Sequence, residues 1–259
     1  MKKFVVIILF AFFSMPLLAQ NDLYIVMELM HVDNTQEGDY AQTEQFWKKI
    51  HAQRVADGSI QGWDLWSLLP GGEDQGYQYA TVTLFNSPEK MFAPVDFMKY
   101  AKAAYPNMSE DELNKKLWGA SKTRDLAVRI FMHQIATTTG GPGLKVGTVA
   151  TFDFMKVPLE GYNAYETAEK TLFQPSHQKM VDDGAKANWG LLRFMIPIGS
   201  DTYASHLTVN MFENMEQYLN AGNYQGQQPT EDQQKAMIKG MATRDMKFVY
   251  VATLNEMVR

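Results

Sequence analysis

HAQRVADGSIQGWDL, His51 to Leu65, and HQKMVDDGAKANWGL, His177 to Leu191, align without a gap. His, Val, Asp, Gly, Trp and Leu recur at the same internal places, each pair 126 positions apart (177 − 51). Both stretches read as the last turns of a helix, a glycine where the chain passes through the left-handed conformation, and then a strand carrying a tryptophan. His51 and His177 fall two turns inside the helix, beside its apolar stripe, so each is expected to hydrogen-bond locally while Trp63 and Trp189 anchor the next strand.

Working outward, the same series of elements surrounds each copy. Leu23–His31 (LYIVMELMH) and Thr148–Val157 (TVATFDFMKV) are rich in branched and aromatic residues, as strands are. Helices follow, with Tyr40, Phe46, Trp47, Ile50 and Val55 on one stripe and Tyr165, Leu172, Phe173 and Met180 on the other. Two strands come next in each copy: Ile60–Leu69 and Tyr77–Phe85 around PGGEDQG, then Ala187–Ile196 and Tyr203–Phe212 around PIGSD. Ser109-Glu-Asp-Glu112 and Thr230-Glu-Asp-Gln233 are capping boxes that start a second helix. Thr123-Arg-Asp125 and Thr243-Arg-Asp245 open a last strand, and Arg124 and Arg244, each followed by Asp, read as a repeated ion pair there.

Strand, helix, strand, strand, helix, strand is the ferredoxin-like unit, whose sheet needs a partner for its uncovered face. The predicted fold is α+β: two tandem βαββαβ repeats, residues 21–136 and 147–259, joined by a Gly- and Thr-rich linker at 137–146, with antiparallel sheets facing each other as a pseudo-dimeric α/β barrel. In this order of elements and the repeated H-x6-G-x4-W-x-L spacing the chain resembles the dimeric α/β-barrel superfamily. That superfamily includes cofactor-free monooxygenases, muconolactone isomerases and stress-responsive barrel proteins. Some of its members bind haem through a histidine, but no local motif around His133 or His206 supports that here, and no cofactor is expected.

Alternation along the strands sorts side chains by face. In the third strand of each copy, Ala80, Val82 and Leu84 match Leu207, Val209 and Met211, an apolar row expected to pack on helices. The opposite row, Tyr79, Thr81, Thr83 and Phe85, matches His206, Thr208, Asn210 and Phe212, and is expected to line a chamber between the facing sheets. Glu28 and Asp153 fall on matching inward positions, with Arg129 and Arg193 as their candidate partners. The chamber is expected to hold Glu28, Tyr79, Asp153, His206 and Thr208 together, with Thr81, Asn210, Arg129, Arg193 and His133 as further ligand contacts. His206, Asp153 and Glu28 are the candidate catalytic groups, His206 serving as general base. The alternatives are a hydrogen-bonded interior histidine and carboxylates that are hydrated or salt-bridged at a barrel mouth.

The 259 residues are 46% apolar and 20% charged, with a net charge of −5 and no basic run interleaved with aromatics, so nucleic acid is not an expected partner. MKKFVVIILFAFFSMPLLAQ, residues 1–20, has the layout of a secretory signal: two lysines, about fifteen mostly apolar residues, then a small one. A periplasmic or secreted protein without stable membrane insertion is therefore expected, either a monomeric pseudo-dimer or a homodimer. With no cysteine there is no disulfide framework or thiolate metal site, and no histidine spacing suggests another metal. The functions compatible with this reading are binding of a small apolar or aromatic molecule, cofactor-free monooxygenase- or isomerase-like catalysis, and a structural role with a filled barrel.

Overall fold

The computed structural model describes residues 22–69, 73–226 and 228–259. The expected signal segment and the turn at 70–72 lie outside the described residues. The elements run β1 (Tyr24–His31), α1 (Glu37–Ala56), β2 (Gly62–Leu69), β3 (Tyr79–Phe85), α2 (Pro88–Phe92), α3 (Phe97–Ala104), α4 (Glu110–Gly119) and β4 (Asp125–Thr137). They continue with β5 (Val149–Lys156), α5 (Tyr162–Ala168), α6 (Gln174–Asp182), β6 (Asn188–Ile196), β7 (His206–Phe212), α7 (Met215–Ala221), α8 (Glu231–Met241) and β8 (Asp245–Val258). A π-helical turn, Glu169–Phe173, joins α5 to α6 without a break.

Local signals in the sequence account for the boundaries. Gly58 and Gly184 both have φ of +73°, the left-handed conformation in which a Cβ is unfavourable. Ser109 and Thr230 cap α4 and α8 through reciprocal bonds with Glu112 and Gln233. His51 stacks on Trp63 at 5.1 Å and 15°, and His177 on Trp189 at 5.0 Å and 17°, so the repeated histidine locks helix to strand in both halves.

The eight strands form one closed antiparallel barrel in the order β1-β3-β2-β8-β5-β7-β6-β4, with β4 returning to β1. Each half keeps its own four strands together, and closure comes from edge-to-edge pairing of β2 with β8 and of β4 with β6. The interior is a single apolar cluster that includes Ile25, Met27, Leu29, Ala80, Val82, Phe152, Phe154, Phe194, Leu207, Val209 and Leu254.

This corrects the expected assignment of faces. Ala80, Val82, Leu207 and Val209 fill the barrel, with Leu84 and Met211 packed against that cluster. The row Tyr79, Thr81, Thr83 and Phe85, with its counterpart His206, Thr208, Asn210 and Phe212, therefore points outward to the helices, since alternate residues take opposite faces. Barrel size is the physical reason. Eight strands enclose a space just wide enough for their own side chains, so the interior is dry and close packed rather than a chamber. Phe154→Ala, at a fully buried interior position, is expected to lower stability by about 4 kcal/mol in urea denaturation; a loss under about 1 kcal/mol would contradict a tightly filled barrel.

Candidate functional site

A cavity of about 530 Å³ lies on the outer face of the first half, between the sheet and its helices. Strands build the floor: Glu28 from β1, Trp63 from β2, Thr81 and Thr83 from β3, and Arg129 and Phe131 from β4. The roof carries Glu44, Trp47, His51 and Arg54, a stripe at spacings of three, four and three on α1. Phe97 of α3 and Leu117 and Trp118 of α4 complete the wall, with the highly exposed Trp118 at the rim.

Two ion pairs line this space. Arg129 donates to Glu28 from Nε at 2.7 Å and from Nη2 at 2.6 Å, and the Thr81 hydroxyl donates to the same carboxylate at 3.3 Å. Arg124, at the foot of β4, meets Glu44 at 3.1 Å. Glu44 is almost wholly buried, and desolvation pushes its carboxyl up to about 7, with the Glu28 charge adding and Arg124 opposing. The same burial drives the His51 imidazole well below its usual range, reinforced by the adjacent Arg54, so it is neutral at neutral pH. Its ring also meets Trp47 at 5.9 Å.

In the second half the corresponding space is taken up internally. Asp153, opposite Thr208 as Glu28 is opposite Thr81, accepts from Thr208 at 3.2 Å and from Asn210 at 2.8 Å. The buried Lys186 ammonium donates to Asn210 at 2.6 Å and to His177 Nδ1 at 2.9 Å. Burial lowers Lys186 to about 8 and His177 to about 3. Arg244 faces Glu169 at 3.6 Å, as Arg124 faces Glu44. The arginines of the two Thr-Arg-Asp segments thus pair with buried helix glutamates instead of the aspartates that follow them. Gly240 of α8 sits so close over Ala168, Leu172 and Phe173 that an added Cβ would stand 3.2–3.3 Å from them.

The remaining candidates lie elsewhere. His206 is fully buried, with Nε2 3.0 Å from Glu166 and Nδ1 3.0 Å from the Ser205 hydroxyl, while Arg193 donates twice to Glu166 at 2.5 Å. Tyr79 packs on Tyr40 at 4.7 Å, and His133 stacks on Tyr24 at 4.6 Å with Asp22 3.6 Å from Nε2. Glu28, Tyr79, Asp153, His206 and Thr208 therefore do not converge. β1 and β5 stand on opposite sides of the ring of strands, as do β3 and β7, so their outward side chains diverge. A haem held by His206 does not fit, because both ring nitrogens are engaged, and His133 does not line the cavity. Among the described residues no group of three or more His, Asp or Glu is placed to hold a metal ion.

Glu44 and Arg54 are site residues that the pattern of apolar stripes passed over. The available signal was Tyr-x3-Glu at 40–44 and again at 165–169, paired in both halves with Thr-Arg-Asp.

No protein-family model matches the chain, and no curated protein matches it. Solved structures do. A candidate monooxygenase from Fusobacterium nucleatum subsp. nucleatum superposes with a TM-score of 0.57 at 8% identity, over 91% of this chain and 93% of that one. A candidate monooxygenase from Lactobacillus acidophilus gives 0.54 at 11% identity, over 92% and 96%. An anthrone oxidase-like protein gives 0.54 at 10%, over 93% and 94%. Together with the closed eight-stranded barrel and its outer helices, these similarities show that the chain has the dimeric α/β-barrel fold.

Proposed function

We propose that this chain is an exported protein, built from two tandem ferredoxin-like copies, that binds a small aromatic molecule between the first-half sheet and its helices. The carrying observation is the cavity itself. It is present in the half whose walls bring Trp47, Trp63, Phe97, Phe131 and Trp118 around buried charged groups, whereas Lys186 occupies the matching place in the other half. A space of this size, walled by aromatic rings and by a comparable share of polar and charged side chains, suits a ligand of two or three fused rings that carries polar groups. On this reading the ligand sits outside the barrel, not between the sheets.

A second reading is favoured by Glu44. A carboxyl titrating near neutrality inside an aromatic cavity can take a proton from an acidic C–H or O–H of the ligand and return it to another atom. That cycle is an isomerisation and consumes no oxidant. The anthrone oxidase-like name of one structurally similar protein is in keeping with an aromatic substrate.

Native mass spectrometry of protein isolated from its own envelope, followed by a thermal-shift screen of aromatic compounds, is expected to reveal a ligand. At one hundred times its dissociation constant that ligand adds about 2.7 kcal/mol of stability. Thr83→Phe, which fills the cavity from β3, should abolish the shift while leaving the circular dichroism spectrum unchanged; retained binding in this variant would place the ligand elsewhere.

Glu44 gives a separate check. Its folded pKa, about 7, exceeds the unfolded value of 4.5, so the native state binds the proton more tightly between those values. Stability from this group is therefore present below pH 4.5 and lost as pH rises to 7. Relative to Glu44→Gln, which mimics the protonated acid, the wild type should lose about 3 kcal/mol of unfolding free energy across that interval. A pH-independent difference between the two proteins would remove the proton-transfer reading.

A further inference from the structure

The two halves differ in how their buried charges balance. In the second half the Arg244 cation faces the Glu169 anion, and Lys186 reaches Asp153 through Asn210, whose amide oxygen accepts at 2.6 Å and whose amide nitrogen donates at 2.8 Å. Each buried cation there has a carboxylate. In the first half Glu28 is held by Arg129 and Glu44 by Arg124, which leaves Arg54.

Arg54 is only 5% exposed. Among the described residues no carboxylate lies within salt-bridge distance of it; Nη1 meets the neutral His51 Nδ1 at 3.3 Å, and the buried Nε has no hydrogen-bond partner. A guanidinium does not shed its proton, and burying one without a counterion costs several kcal/mol. The gap-free alignment puts Met180 at the equivalent place, so the fold does not require a cation there. Arg54 also lines the cavity, with its guanidinium carbon 5.5 Å from the Phe97 ring centre and the Trp47 and Trp63 rings in the same wall.

We infer that Arg54 is the anchor for one anionic group, and that the ligand of the first-half cavity is an aromatic monoanion, a carboxylate or an equivalent planar oxyanion joined to a ring system. This rests on the cavity being a ligand site. Arg54 donates through its fork to the anionic oxygens, and the surrounding rings stack on the apolar body of the ligand. The two remaining arginines are already matched by Glu28 and Glu44, so a dianion would leave one negative charge without a partner.

The test is titration of 2-naphthoate and its uncharged twin 2-naphthamide, read by tryptophan fluorescence and calorimetry, into wild type, Arg54→Met and Arg54→Lys. Wild type is expected to prefer the acid by about tenfold or more, the gain of a charge-assisted bond over a neutral one. Arg54→Met should erase that preference by weakening naphthoate binding far more than naphthamide binding, and Arg54→Lys should keep part of it. Unfolding in urea supplies a readout independent of ligand: Arg54→Met should shift the midpoint upward, whereas an arginine with a packing role would shift it downward. Equal binding of acid and amide by the wild type overturns the anion assignment and leaves the cavity standing as a site. Binding of neither probe removes both. A preference that survives in Arg54→Met, or a lowered urea midpoint in that variant, overturns the role given to Arg54.

Discussion

Closure of the barrel governs everything outside it. Once β2 pairs with β8 and β4 with β6, all eight strands have neighbours on both sides over most of their length and the enclosed space is filled by their own side chains. A polar group inside would have no water and few partners, so the strands turn most of their hydroxyls, amides and carboxylates outward. Polar outer faces beneath helices then become protected places where this chain can gather charge.

What the helices do with those faces separates the two halves. The stretch from Tyr162 to Asp182 has one residue more than α1 between matching landmarks: Tyr40 and Glu44 correspond to positions 125 further on (165 − 40, 169 − 44), but His51 corresponds to one 126 further on (177 − 51). The extra residue is taken up in the π turn at Glu169–Phe173, the usual way a helix absorbs an insertion. Leu172 and Phe173 of that turn meet Gly240 of α8, and the helical layer closes. α1 contains no such turn and presents Trp47, His51 and Arg54 to an open space.

Much of this arrangement was legible in the sequence, and the part that was not has a definite cause. The caps at Ser109 and Thr230 and the left-handed glycines follow from local spacing and are present; of the two candidate partners for the strand carboxylates, Arg129 meets Glu28, while Arg193 pairs with Glu166. Parity separates two faces without saying which one looks inward. For β3, Ala80 and Val82 against Thr81 and Thr83 fits a sheet packed on helices as well as one rolled into a barrel, because both faces are covered in either case. Resolving the choice needs the closure itself, which depends on contacts between residues such as Trp63 and Val258 at opposite ends of the chain. Glu44 was hidden for a related reason. A single carboxylate within an apolar stripe ordinarily marks the edge of the buried face, and only Arg124, eighty positions away (124 − 44), makes its burial tolerable.

The two halves differ in how they hold their buried charges. Around His206 the second half engages both imidazole nitrogens, holds Glu166 with two bonds from Arg193, and thereby pulls that carboxyl down to about 2 despite its burial. Satisfied networks of this kind are rigid, and removing one member leaves the others buried without partners. The first half differs at Arg54, a buried cation with no carboxylate within salt-bridge distance, whereas a carboxyl raised by burial occurs in both halves, at Glu44 and at Glu169. Such groups lower the stability of whatever holds them, and four strands with two helical layers could not readily tolerate them alone. Sharing one barrel interior with the second half makes that arrangement sustainable, because Phe152, Phe154, Phe194 and Leu207 belong to the same apolar cluster as Met27, Leu29 and Val82. The strain of an open, charged cavity is thus borne by a core to which both halves contribute.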